Sequence, residues 1–315
     1  HSSRGFSCNS GCIPDPEGNY ASTAVKILLL LPLLLFGSCG WNAAGITGCH
    51  PVDGTRALPD VLKESSGVAF SRSLPDVLFS HNDGGHEATI YVLDLTGALK
   101  SEIPLSSAQN RDWEDMAVGD CPSGNCIFLA DVGDNQEIRE QIFLYRIPDT
   151  GDYDGSPRKP DVFPMALPHG PRDMEALFVL PGGEVFLVSK GRSHAVTLYR
   201  YPPPLRAGEL VHLEAVQNLT DGRVPIPRQV TGADASPDGK TVAIRTYEAL
   251  TFYSWKSGEL EPIQGGRIAL RTLNEAQGEA MALGPHGRIA LTSEAALGKG
   301  ATLTLLECRE GLGGD

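Results

Sequence analysis

Five times along this 315-residue chain an acidic residue stands directly ahead of a short run of small and apolar residues. The runs are Glu64-Ser-Ser-Gly-Val-Ala-Phe, Glu114-Asp-Met-Ala-Val-Gly, Glu175-Ala-Leu-Phe-Val, Asp234-Ala-Ser-Pro-Asp-Gly and Glu279-Ala-Met-Ala-Leu-Gly. Their starts lie 50, 61, 59 and 45 residues apart, the spacing range of β-propeller blades. If each run opens the innermost strand of a blade, radial repetition gathers five carboxylates around one channel. Like charges so gathered are costly unless a cation or positive side chains offset them.

The residues between the runs support this reading. A second alternating stretch follows each one, as in Asp76-Val-Leu-Phe-Ser-His and Glu184-Val-Phe-Leu-Val-Ser. A third comes after it, as in Gln141-Ile-Phe-Leu-Tyr-Arg and Leu250-Thr-Phe-Tyr-Ser-Trp. Weaker fourth strands are expected over 99–105, 162–167, 211–216 and 260–263. These stretches are rich in β-branched and aromatic residues and end at turn sequences such as Ser236-Pro-Asp-Gly239. Helical periodicity is nearly missing. The fifth blade runs out at Glu307-Cys308 without a fourth strand, whereas 45–58 precedes the first blade unclaimed. Supplying the missing strand from that segment closes the ring and removes exposed sheet edges. The expected fold is therefore all-β, a single five-bladed propeller over 39–315 closed by its N-terminal strand; a sixth blade within the Pro-rich stretch 202–230 is the alternative.

Ahead of that domain, Val25-Lys26 leads into about ten apolar residues ending in Gly37-Ser38-Cys39. The apolar run is too short for a membrane-spanning helix, which needs about 20 residues, and reads as a secretory signal. Phe36-Gly-Ser-Cys39 resembles a bacterial lipobox, with Phe36 where Leu is usual. On this reading 25–38 is a lipoprotein signal, Cys39 carries a lipid and is the only membrane attachment, and 1–24 is a non-native extension; an ordinary cleaved signal with Cys39 incidental is the alternative. The protein would be exported across the inner membrane to the cell envelope or beyond. Such a compartment permits disulfides. Cys121 and Cys126 flank a turn and form an expected local clasp; a Cys49–Cys308 bridge would lock the two ends of the ring, with two free buried thiols as the alternative.

The net charge of −13 and a pI near 5.1 exclude nucleic acid, which needs a basic footprint, and favour cationic partners. In a propeller blade the end of the second strand opens on the same face as the start of the inner strand. That face is expected to carry Ser80-His81-Asn82-Asp83, Asp131-Val-Gly-Asp134-Asn135, Ser189-Lys190-Gly191-Arg192, Arg245-Thr-Tyr247 and Thr292-Ser-Glu294. Three readings compete. Glu64, Glu114, Asp115, Asp234, Glu279 and Glu294 could supply oxygen ligands to Ca²⁺, leaving Lys190, Arg192, Arg245 and Tyr247 for a small anionic or sugar-like ligand. Alternatively, acid–base catalysis could use Glu175, Asp131 or His81. In the third, the acids pair with arginines and backbone N–H groups to hold blades in register. Asp131-Val-Gly-Asp134 lacks the spacing of an EF-hand loop, and zinc-type Cys spacing is absent.

Trp113-Glu114-Asp115-Met-Ala, Ala130-Asp131-Val-Gly-Asp-Asn135, Asp173-Met-Glu175-Ala-Leu and Val230-Thr-Gly-Ala-Asp234-Ala-Ser-Pro-Asp-Gly239 resemble a group of secreted bacterial propeller proteins. That group is similar to the phytase-like and SdiA-regulated propeller families. The resemblance spans about 64–294. It implies Glu279 and Glu294 as calcium ligands, Asp131 and Glu175 as channel acids, and a calcium-dependent phosphoric or carboxylic ester hydrolase; separately, a monomer is expected. The Asp-Asp-Pro-Ala motif of the phytases is missing and the blades are fewer. A non-catalytic binding or scaffold propeller is the rival expectation.

Overall fold

The structure, a computed structural model, describes residues 48–308. The expected signal, the lipidated Cys39 and the extension before them lie outside the described residues. Strand β1 (Cys49–Ala57) opens the described chain. Blade I follows as β2 (Ser65–Phe70), β3 (Val77–Asn82), β4 (Thr89–Asp94) and β5 (Leu99–Pro104), and blade II as β6 (Trp113–Cys121), β7 (Gly124–Asp131), β8 (Ile142–Pro148) and β9 (Asp161–Ala166). Blade III holds β10 (Met174–Leu180), β11 (Glu184–Ser189) and β12 (Thr197–Arg200); two short strands, β13 (Val211–His212) and β14 (Glu214–Asn218), come next. Blade IV is β15 (Val230–Ala235), β16 (Thr241–Thr246), β17 (Ala249–Lys256) and β18 (Glu259–Ala269), and blade V is β19 (Gln277–Leu283), β20 (Arg288–Glu294) and β21 (Thr302–Cys308).

The five sheets form a five-bladed propeller. The inner strands β2, β6, β10, β15 and β19 pack against one another in cyclic order. They read as continuous small and apolar runs because both faces are covered; β2, β10 and β15 are buried at every residue. Outer strands alternate instead, as β5 and β18 do, because one face meets water. The apolar core is five wedges, one at each seam between adjacent blades, with Phe128, Leu144, Met174 and Leu187 filling the II–III seam and Phe252, Leu283 and Leu291 the IV–V seam. No blade can therefore bury its faces without both neighbours.

Strand β1 pairs antiparallel with β21, Cys49 opposite Cys308, and completes blade V as expected. The Cys49–Cys308 disulfide joins positions 259 residues apart, and the second disulfide, Cys121–Cys126, staples the β6–β7 hairpin. The Pro-rich stretch holds no sixth blade. It splits in two: β14 becomes the fourth strand of blade III, while β13 pairs parallel with β9 and adds a fifth strand to blade II. Val211, Leu213 and Val216 give 211–216 the apolar character of one strand, but the edge of β9 captures its first two residues.

Candidate functional site

On every inner strand the ladder to the second strand slips near its start, between Ser65 and Gly67, Trp113 and Asp115, Met174 and Ala176, Val230 and Gly232, and Gly278 and Met281. The unpaired residues are Ser66, Glu114, Glu175, Thr231, and Glu279 with Ala280. A bulge re-aims its side chain, and here it gathers Ser66, Glu114, Glu175 and Glu279 around one polar cavity of about 210 Å³. The second strands supply the remaining wall: Asp83 follows β3, Asn135 follows β7, Lys190 and Arg192 follow β11, Tyr247 follows β16, and Glu294 ends β20.

Acidic residues outnumber basic ones in this cavity. Lys190 Nζ donates to the Glu175 carboxylate, and both are buried. Burial opposes the lysine charge, but Glu175 and Glu114 outweigh it and hold its pKa above the usual value. Burial raises the Glu175 carboxyl, opposed by the Lys190 charge. Gln277 Nε2 donates to Glu279 Oε1 and Glu294 Oε2, 2.8 Å each, drawing two carboxylates onto one amide. Burial pushes Glu279 up to about 7. Burial and then the neighbouring Glu279 push Glu294 up to about 9. Arg192 at the rim is bound to Asp173 at 3.2 Å, and its side chain is about one-third exposed.

On the blade I–II side, Asp83, Asp112 and Glu114 each bring a carboxylate oxygen within 4.8 Å of the others. Glu114 is 7% exposed, and its carboxylate accepts no hydrogen bond among the described residues. Its pKa is raised well above the normal range by burial and then by Glu175 and Asp83. Asp112, pushed up to about 6 by burial and then by Asp83, is the residue that sequence reading missed. It precedes β6 in what reads as an ordinary loop, and the available signal was the acid density of Asp112-Trp-Glu114-Asp115. Its backbone is placed by Asp131, whose Oδ1 accepts the Asp112 N–H at 3.1 Å, while the N–H groups of Val132 and Gly133 donate to the Asp112 carbonyl. Gly133 is required there, since a Cβ on it would lie 2.0 Å from Glu114 Oε1 and 2.6 Å from the Asp112 carboxylate.

Other candidate residues sit elsewhere. Glu64 lies on the exposed rim, paired with His86 at 2.7 Å; the structural counterpart of Glu114 in blade I is Ser66. In blade IV the counterpart is Thr231, and Asp234 sits three residues farther along the strand, accepting the Ala235 and Leu283 N–H groups at 2.8 Å each. Asp115, fully buried, accepts N–H groups from Met116, Leu177 and Ala233 at 2.9–3.0 Å, so one carboxylate ties β6, β10 and β15 together. Asp115 thus links three inner strands and Asp234 links β15 to β19 through backbone N–H groups.

Asp131 is covered by Arg139, whose guanidinium donates to its carboxylate at 2.9 Å. Arg245 is fully buried; it donates to the Ala280 and Thr292 carbonyls and to Glu275 at 2.5 Å, bracing blades IV and V. His81 is fully buried edge-on to Trp113, and burial lowers its pKa to about 4, so it is neutral at pH 7. A Cβ on Gly67 would come within 2.2 Å of its Nε2. None of these three lines the cavity. Trp113 itself is a core residue whose Nε1 donates to the Gln109 carbonyl.

No protein-family model matches the sequence, and a search of curated proteins finds no match. The solved structures similar to the chain are β-propeller proteins. One is the PQQ-bound aldose sugar dehydrogenase from Streptomyces coelicolor, at 13% identity and a TM-score of 0.44 over 82% of this chain and 100% of that one. Another is virginiamycin B lyase from Staphylococcus aureus, at 10% identity and a TM-score of 0.40 over 81% of this chain and 73% of that one.

Proposed function

We propose that the polar mouth binds a divalent cation, Ca²⁺, through Asp83, Asp112 and Glu114, and presents it to a small anionic ligand. The observation that carries this reading is the Glu114 carboxylate, buried without a hydrogen bond and converging on two further carboxylates. Carboxylates brought this close repel one another, and a cation among the three would offset that cost. The donor set is all oxygen, without thiolate or imidazole, which suits a hard cation that takes 6–8 oxygens in flexible geometry. Ligand and water would complete the shell. Glu279 and Glu294, which the family resemblance implies as calcium ligands, line the same cavity and share the Gln277 amide.

Arg192 and Tyr247 line the same cavity, with the Lys190 charge beside them. They are suited to hold an anionic group against the cation. Ester hydrolysis is the catalytic form of this reading: the cation would polarise a phosphoryl or acyl oxygen, and the Glu279–Glu294 pair would handle the proton. A binding propeller without catalysis is the other form. The two disulfides favour an oxidising compartment outside the cytosol.

The test is calorimetric titration of the EDTA-treated protein with Ca²⁺, repeated on Glu114→Gln and Asp112→Asn. Saturable binding to the parent and at least a tenfold loss in each variant support the site. Absence of binding, or unchanged binding in both variants, removes it. Hydrolysis of 4-nitrophenyl phosphate or 4-nitrophenyl acetate that requires Ca²⁺ and is lost with Glu279→Gln would separate the enzyme from the binding module.

A further inference from the structure

The inner strands run away from the polar mouth, and at their far ends lies a second cavity of about 330 Å³. Phe70, Val118, Ala235 and Leu283, from β2, β6, β15 and β19, form its walls together with three prolines of the adjoining turns. Its polar residues are Ser71, Arg72 and Asp234. Small-molecule sites commonly have this make-up, a mostly apolar hollow with a few fixed polar groups that orient the ligand.

Arg72 is held in place from behind. The buried carboxylate of Asp149 accepts the Arg72 and Ser73 N–H groups at 2.9 and 3.2 Å and the Ser71 hydroxyl at 3.1 Å, and Tyr153 also donates to it. The backbone carrying the guanidinium is therefore fixed before any ligand arrives. One guanidinium nitrogen, Nη1, donates to Asp120 at 3.1 Å. Among the described residues Nη2 makes no hydrogen bond, and the side chain remains 19% exposed. Both oxygens of Asp234 already accept backbone N–H groups. Burial pushes its pKa up to about 7, which lessens its repulsion of an anion nearby.

We propose that this far cavity is a second ligand site, taking a small amphiphilic carboxylate whose aromatic or branched-alkyl body fills the apolar hollow while its carboxylate is anchored by Arg72. An amine with the same body would meet the Arg72 charge and be rejected. Guanidinium recognition of carboxylates is planar and two-pronged, which Lys cannot reproduce. The site shares no lining residue with the polar mouth and does not depend on a cation there.

The experiment is calorimetric titration in EDTA with three probes of one shape: 3-phenylpropionate, 3-phenylpropanol and 3-phenylpropylamine. The expected result is saturable 1:1 binding of the carboxylate, at least tenfold tighter than the alcohol, with the amine weakest. Arg72→Gln should abolish the advantage of carboxylate over alcohol, and Arg72→Lys should retain only part of it. Pro237→Trp, at an exposed turn on the rim, should block all three probes; it also serves as the second variant if Arg72→Gln fails to fold. No carboxylate binding, an equal or better amine, or unchanged selectivity in Arg72→Gln would overturn the proposal. Because metal is excluded throughout, failure here leaves the cation site standing, and failure of calcium to bind leaves this site standing.

Discussion

The two mouths of the ring are made by opposite ends of the same inner strands, yet one is crowded with carboxylates and the other is lined by Phe70, Val118 and Leu283. The difference begins with the bulge. Near the start of each strand an extra residue is turned out of the ladder, and in three blades that residue is a glutamate. Beyond the bulge the ladder is regular and its small and apolar side chains pack between blades. Asp115 lies between the two ends and binds three inner strands through backbone N–H groups. The Asp115 oxygens are filled by N–H groups from three strands, whereas the Glu114 carboxylate accepts no hydrogen bond among the described residues and lines the cavity.

The largest effect should be common to both mouths. Replacing Cys49 and Cys308 together by Ser opens a loop of 259 residues' separation, and the chain-entropy model puts the loss at up to about 5 kcal/mol. Urea unfolding of the oxidised parent and the double variant measures it, and a loss near zero would show that blade packing alone closes the ring. Asp115→Ala should come next, at about 3 kcal/mol, because it strands three buried N–H groups. It should lower the melting temperature whether or not calcium is present.

Calcium should then separate the two ends. At a hundredfold excess over Kd it should stabilise the parent by about 2.7 kcal/mol, and Glu114→Gln should erase that gain while Arg72→Gln keeps it. A calcium shift that survives Glu114→Gln would relocate the metal. The pH dependence has a definite sign. Glu279 and Glu294 hold protons in the folded protein up to about 7 and 9, above the unfolded carboxyl range near 4.3. The native state therefore binds more protons than the unfolded one between about pH 4 and 9, and stability falls as pH rises through that window. Thermal melts in EDTA should show the decline, and calcium should flatten it by replacing protons; a metal-free protein that grows more stable from pH 5 to 8 would contradict the arrangement. The smallest effect is that of Arg72→Gln on stability, since its partner Asp120 is 46% exposed and such pairs contribute about 0–1 kcal/mol.

Much of the ring was legible because its signals are local and repeated. Runs such as Glu184-Val-Phe-Leu-Val-Ser recur at blade spacing, and the missing strand of blade V had one plausible source, with a cysteine at each end of the gap. The site was legible only in part. Glu114, Glu175 and Glu279 fall at matching bulges, but Glu64 and Asp234 share the motif's spelling without its position. Register decides this: a shift of two residues carries Glu64 to the rim, and one of three carries Asp234 toward the far end. Asp112 escaped notice because it belongs to no repeat, and Arg245 was misplaced because nothing local announces that its partners are the carbonyls of Ala280 and Thr292 in the next blade.

By itself the sequence determined the class of fold, favoured five blades over six and pointed to the Cys49–Cys308 and Cys121–Cys126 pairs, since strand periodicity, repeat spacing and the need to satisfy sheet edges all act along the chain. Only the tertiary structure decided which acids face an open cavity and which are consumed by backbone N–H groups. Those partners come from strands on other blades, tens of residues away, and the height of a side chain in the channel is set by a one-residue bulge that composition and spacing do not reveal.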